Sequence, residues 1–169
     1  MNSGAGRSAA IGGALGHTLG AIEAGLRVAV GMLVVMIVVL VGAQVVFRYV
    51  FKTPIVWSEE FTTLCYQWVS FLGAALAVRY RAHFGVDFVA RHLERWSTWL
   101  TWVGHFVVTL IALFMIFYGF RIVESSWAQM YPTLGFSVGT GYIILPIAGV
   151  LFILMDFAVM LDRRAGAAQ

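Results

Sequence analysis

Few side chains in this chain can do chemistry, and their spacing restricts what that chemistry can be. Cys65 is the only cysteine among 169 residues. An intrachain disulfide is therefore impossible, and a thiolate metal site lacks its second ligand. In an apolar run a lone thiol acts as a small apolar residue. Asp156 is a carboxylate inside a long apolar stretch, and such residues are functional candidates by default. It also stands about one to two turns before Asp162-Arg163-Arg164. The structural reading is preferred, in which it faces headgroups or pairs with Arg27. His105 is read as a buried neutral imidazole bonded to a neighbour. A haem centre would need two axial histidines on facing helices at one depth. His105 is the only histidine within an apolar run; His83 and His92 fall in a connection and His17 in the N-terminal stretch. The sequence predicts no metal, no cofactor and no enzymatic activity.

Two denser polar groups flank one apolar run, Phe61 to Val78. Ser58, Glu59 and Glu60 precede it. Arg79, Arg81, His83 and Asp87 follow it. A helix dipole favours anions at its start and cations at its end, so the charges agree with a helix running in this direction. Ser58 is placed as the N-cap. Glu59 and Glu60 have two readings: contact with a partner protein, or capping of the helix. Capping is preferred for at least one of them. Arg48 either holds a lipid phosphate or a partner's carbonyls, or it is a topology anchor that snorkels to water. For the cluster Arg79, Arg81, His83 and Asp87 a structural role is preferred, with Asp87 pairing Arg79 or Arg81. Contact with anionic lipid headgroups is the second reading.

The elements that position these residues follow from composition. Sixty-one per cent of residues are hydrophobic and 11% are charged, against roughly half and a quarter in soluble domains. The mean hydropathy is +0.89. This is the composition of an integral membrane protein. The net charge of +3 is small, and the arginines sit at helix ends rather than along one face, which argues against nucleic-acid binding. Four apolar runs, Ala24–Phe47, Phe61–Val78, Trp99–Phe120 and Gly141–Leu161, are each about long enough to cross a bilayer. Backbone groups in lipid must be satisfied within the segment, so the runs are helices.

The predicted fold is all-α, with four transmembrane helices in one membrane domain, residues 23–162. A flexible N-terminal tail, 1–22, precedes it and a short C-terminal tail, 163–169, follows. A secretory signal peptide is a poor reading of the N-terminus, because its apolar run is too long for one. The short turn containing Pro54 makes the first two helices an antiparallel hairpin, with Arg48 and Lys52 near the acidic pair. Residues 79–98 place Val86, Val89, Ala90, Leu93 and Trp96 on one helical face and His83, Asp87, Arg91 and Glu94 on the other. This predicts an interfacial amphipathic helix between helices two and three. Helix three is expected to continue to Tyr131-Pro132, and Pro146 to kink helix four.

Lysine and arginine counts set the topology. Arg7, Arg27, Arg79, Arg81, Arg91, Arg95, Arg163 and Arg164 lie on one side and Arg48, Lys52 and Arg121 on the other. The excess of positive charge places both termini in the cytoplasm.

The ordered set Arg48-Tyr49, Trp57-Ser58-Glu59-Glu60, Trp68, Phe71-Leu72-Gly73-Ala74-Ala75, Arg79, His83 and Val86-Asp87, followed later by Leu134-Gly135, Tyr142 and Leu145-Pro146, resembles the small membrane subunit of tripartite ATP-independent periplasmic (TRAP) transporters, the DctQ-like family. The likeness covers roughly residues 24–162. It implies residence in a bacterial inner membrane and two protein partners. One is a large membrane subunit that carries the substrate and ion sites. The other is a periplasmic substrate-binding protein. The small subunit then enlarges the static scaffold while an ion gradient drives uptake of an organic acid anion. The resemblance places Arg48, Tyr49, Trp57, Glu59, Glu60, Trp68 and Gly73 at the partner interface. Gly73, Ala74 and Ala77 would permit close helix approach there.

Two other classes compete. A haem-bearing or plain membrane anchor of an oxidoreductase would also have a few helices, but lacks its histidine pair here. An independent channel or carrier would show a polar lining, inverted repeats or broken helices with polar groups at mid-depth. The mid-spans are almost purely apolar.

Overall fold

The computed structural model describes the backbone of residues 3–92 and 97–166, and side chains within 16–161 apart from residue 17, residues 81–98 and residues 100–101. It is all-helical: α1 Ser3–Tyr49, α2 Val56–His92, α3 Ser97–Ser126, a one-turn α4 Gly139–Tyr142 and α5 Ile144–Gly166. Four stretches are long and apolar enough to cross a membrane: Thr18–Tyr49, Val56–Tyr80, Trp102–Ser126 and Gly139–Leu161. The four-span membrane architecture read from the sequence is the one the chain adopts.

The helices outrun their apolar cores. α1 begins at Ser3, so the backbone of residues 3–22 is helical. No proline precedes Pro54, and each residue added to an existing helix gains a hydrogen bond without a new nucleation step. Leu19 is already buried against the bundle. α2 likewise continues to His92, so the amphipathic segment expected after Tyr80 is helical as the extension of α2. Residues 93–96 lie outside the described residues.

α5 is the centre of the bundle. It packs on α3 along one side and on α2 along the other, and α1 packs mainly on α2. The core joins Leu26, Leu72, Ile144 and Met155, with Trp68, Phe71 and Leu151 against them. Small residues set the α3–α5 spacing. A Cβ at Gly149 would stand 2.7 Å from Ile116 and 2.8 Å from the Ala112 carbonyl. One at Gly119 would stand 2.8 Å from the Pro146 ring. Such small-residue contacts let helix backbones approach closely in lipid. By contrast, no residue of the most apolar stretch of α1 is buried.

The α3–α4 connection is a small ordered hairpin. Tyr131 N donates to Phe136 O at 2.9 Å and Val138 N to Gln129 O at 2.9 Å. Gly135 takes φ +72° at its tip, which glycine adopts without steric cost. α3 stops at Ser126, before the Tyr131-Pro132 step predicted to end it. Its last carbonyls find a partner in the loop: Ser137 Oγ donates to Trp127 O at 2.8 Å and accepts from Gly139 N at 3.0 Å. Pro146 sits in the first turn of α5. It removes the N–H that would bond back toward Tyr142, so the expected kink is a break between α4 and α5.

Candidate functional site

At the end of the bundle that carries the α1–α2 turn, α2 opens one turn earlier than the sequence suggested. Val56 is its first residue, so Ser58 falls inside the first turn instead of capping it. Its buried hydroxyl donates back to Ile55 O at 2.7 Å. The two glutamates then point to different neighbours. Glu59 Oε1 accepts from Gln44 Nε2 at 3.1 Å and ties α1 to α2. Gln44 thus bridges the hairpin, and neither Arg48 nor Lys52, both expected near the acidic pair, makes an ion pair with it among the described residues. Glu60 Oε2 accepts three bonds from the α3–α4 loop: Thr133 Oγ1 at 2.5 Å, Thr133 N at 3.1 Å and Leu134 N at 3.2 Å. A carboxylate holding two backbone N–H groups and a hydroxyl forms charge-assisted bonds, about twice as strong as neutral ones. Glu60 therefore fixes the loop to α2.

Tyr131 lies beneath this latch, edge-on to Phe136 at 5.4 Å. Its hydroxyl lies 2.9 Å from the point a Gly141 Cβ would occupy, with Leu64 and Gln67 beside it. Burial pushes the Tyr131 phenol above its ordinary value, and Tyr142 and Glu60 add to the shift. The Gln67 carbonyl oxygen is buried without a partner.

At the opposite end, Glu23 gathers two guanidiniums. Arg27 Nη2 is 2.9 Å from Oε1 and Arg79 Nε is 3.1 Å from Oε2. Arg27 also stands over the Tyr80 ring at 6.0 Å. The side chains of Arg81, His83 and Asp87 lie outside the described residues, and with them the pairing expected of Asp87. Asp156 does not reach Arg27. Its Oδ1 lies 2.7 Å from His105 Nδ1, linking α5 to α3, both groups largely buried. The hydrogen-bonded neighbour expected for His105 is thus Asp156.

The residues placed at the partner interface divide into two sets. Arg48, Tyr49, Trp57 and Glu59 are exposed. They belong to a surface that continues down α2 through Thr63, Tyr66, Ser70, Ala74 and Ala77, all exposed. Thr63 and Ser70 fold their hydroxyls back onto the helix carbonyls of Glu59 and Tyr66 at 2.9 and 2.8 Å, so neither presents an unsatisfied donor. Gly73 borders it, half-buried, with nothing within 4 Å of where a Cβ would stand. Glu60 and Trp68 are turned inward instead: Glu60 to the loop, and Trp68 against the core. Cys65 is buried, its sulfur 4.0 Å from Met36 of α1.

Sequence reasoning missed most of these relationships. Glu23 and Arg27 stand four apart on one helix, a spacing legible as an ion pair. The Glu60–Thr133 and His105–Asp156 contacts join residues far apart in the chain, and no local signal encodes them.

Four apolar spans, with charged groups confined to the regions near their ends and to one internal pair, define a polytopic helical membrane protein. The comparisons narrow this class. The family described as "Tripartite ATP-independent periplasmic transporters, DctQ component" matches residues 37–165. A putative TRAP transporter small permease protein of Haemophilus influenzae is 27% identical over 121 residues, covering 70% of this chain and 73% of that protein. A second one from the same organism is 30% identical over 115 residues, covering 63% and 67%. The sialic acid TRAP transporter permease protein SiaT of H. influenzae is 30% identical over 113 residues, 64% of this chain but 18% of that longer protein. The chain belongs to the DctQ family and is a membrane subunit of a TRAP transporter, a transport component rather than an enzyme.

Proposed function

We propose that this chain is the static small subunit of a TRAP transporter. In this reading it packs against a large permease subunit that carries the substrate and ion sites. A periplasmic binding protein delivers an organic acid anion, and an ion gradient drives its uptake. The chain lies in a bacterial inner membrane with both termini in the cytoplasm, in keeping with the lysine and arginine distribution.

The observation that carries this reading is the outward face of α2. Thr63, Ser70, Ala74 and Ala77 are exposed small residues, and Gly73 beside them has open space. Small residues permit the close approach that drives helix association in lipid, and among the described residues nothing fills the space at Gly73. The most apolar stretch of α1 holds no buried residue either. A bundle this open is completed by neighbours, and the likeness to a segment of the longer SiaT permease supports a permease as the neighbour.

Affinity purification of the chain from its native membrane in a mild detergent tests the proposal. A large polytopic permease should co-elute at about one to one, and Gly73→Leu should reduce that recovery severalfold without lowering the yield of the chain itself. Elution alone, or full recovery of the permease with Gly73→Leu, would remove the α2 strip from the interface.

A further inference from the structure

α3 presents two faces of different kinds. Ala112, Ile116, Gly119 and Val123 meet α4 and α5. The other face looks away from the chain. There Leu110, Leu113, Phe114, Phe117 and Tyr118 line an open groove of about 420 Å³ that ends at Arg121. All five are exposed, and Phe114 and Tyr118 stack in parallel at 5.5 Å, giving part of the groove a flat aromatic wall.

The arginines with described side chains at the span ends are Arg27, Arg48, Arg79 and Arg121, and of these neither Arg48 nor Arg121 is ion-paired among the described residues. Arg27 and Arg79 share Glu23. Arg121 is exposed and makes no ion pair among the described residues. It stands one residue past the apolar run Trp99–Phe120, where a guanidinium at the bilayer edge reaches outward to an anion or to water. From Leu110 to Arg121 the groove is about 16 Å long, close to the depth of one leaflet.

An apolar channel one leaflet deep, with an unpaired guanidinium at its headgroup end, matches a single phospholipid. We propose that this face of α3 is a phospholipid site. The lipid belongs to the leaflet on the side of the α1–α2 turn. Its phosphate is held by Arg121, with the Tyr118 hydroxyl as a second donor, and one acyl chain lies along Leu110, Leu113, Phe114 and Phe117. Guanidinium suits phosphate because its planar fork donates two parallel bonds.

Native mass spectrometry of the purified full chain in detergent, titrated with phosphatidylglycerol, tests this independently of the permease contact. The wild type should retain one lipid. Arg121→Gln should bind it roughly tenfold more weakly and Arg121→Lys about threefold, because a lysine keeps the charge and loses the fork. Neither should change the thermal unfolding midpoint, since the residue is exposed. Inorganic phosphate at millimolar concentration should not displace the lipid, because it cannot use the groove. Equal retention by wild type and Arg121→Gln would overturn the proposal. So would displacement by inorganic phosphate alone. Loss of a co-purifying permease from Arg121→Gln, with lipid retention unchanged, would also overturn it and assign the groove to a protein.

Discussion

His105 Nδ1 on α3 lies 2.7 Å from Asp156 Oδ1 on α5. This is the one titratable pair inside the spans among the described residues that joins two helices away from their ends. A carboxylate at this depth is expensive alone, and the imidazole satisfies it. Breaking a buried pair by removing one partner costs about 3–5 kcal/mol, whereas replacing both by apolar groups is often neutral. Asp156→Leu and His105→Leu should therefore each destabilise the chain by roughly 3 kcal/mol, and the double variant should recover most of the loss. Thermal unfolding of the three variants in detergent measures the coupling. Strictly additive losses would mean the two groups do not depend on each other.

Glu60 is the second relationship with a measurable consequence. Its carboxylate holds Thr133 N and Leu134 N. Glu60→Ala leaves both amides without that partner. Losing bonds to a charged acceptor costs about 1.5–3 kcal/mol, so hydrogen exchange at residues 133 and 134 should quicken by roughly tenfold or more. Glu60→Gln keeps an acceptor oxygen and should give a smaller change. Exchange in α2 and α5 should not move in either variant. Protection at 133 and 134 that survives in Glu60→Ala would show that the loop holds its own shape.

The architecture was legible because bilayer physics writes it into composition. Runs of about twenty apolar residues can only be helices, and the four predicted runs fall on α1, α2, α3 and α4 with α5. Helix ends were less legible. Ser58 looked like a cap because serine before two glutamates has that pattern, but the turn after Pro54 resolves early enough for Val56 to start α2. The site was legible where the signal was local, as in the charges flanking α2. It was hidden where contacts cross the fold. Asp156 was read as facing headgroups or pairing with Arg27 on depth alone, whereas the direction a residue faces on α5 depends on how α3 docks. Trp68 shows the same limit. It stood within the most family-like segment, yet its helical phase turns it against the core, while Tyr66 and Ser70 take the outer face.

Tyr131 gives a pH test. Burial comes first among the causes that raise its phenol, followed by Tyr142 and Glu60. A raised folded-state value means the unfolded chain releases this proton first. The contribution to stability is then fully present below the ordinary tyrosine value of about 10 and is lost as pH rises through the higher folded value. Ultraviolet difference titration of wild type against Tyr131→Phe should show one phenol with a midpoint above 10. Glu60→Gln should move that midpoint downward, because one negative neighbour is gone. A midpoint at the ordinary value would place Tyr131 in free contact with water.

Two glycines in the same bundle should answer substitution in opposite ways. At Gly119 an added methyl would stand 2.8 Å from Pro146 Cδ, 3.0 Å from Leu145 Cβ and 3.0 Å from Pro146 N. These are a ring and a backbone atom, which cannot swing aside, so α3 and α5 must separate. Overpacking of this kind costs about 1–3 kcal/mol, and Gly119→Ala should lower the unfolding midpoint of the isolated chain. At Gly73 the same methyl meets nothing within 4 Å. Gly73→Ala should leave the isolated chain unchanged or slightly more stable, since alanine favours helix by up to about 1 kcal/mol. The chain alone therefore separates the two positions, and any loss caused by Gly73→Ala or Gly73→Leu should show only when the permease is present. If Gly73→Ala destabilised the isolated chain as much as Gly119→Ala, α2 would pack internally at Gly73 and its outer strip could not be the open surface proposed for the permease.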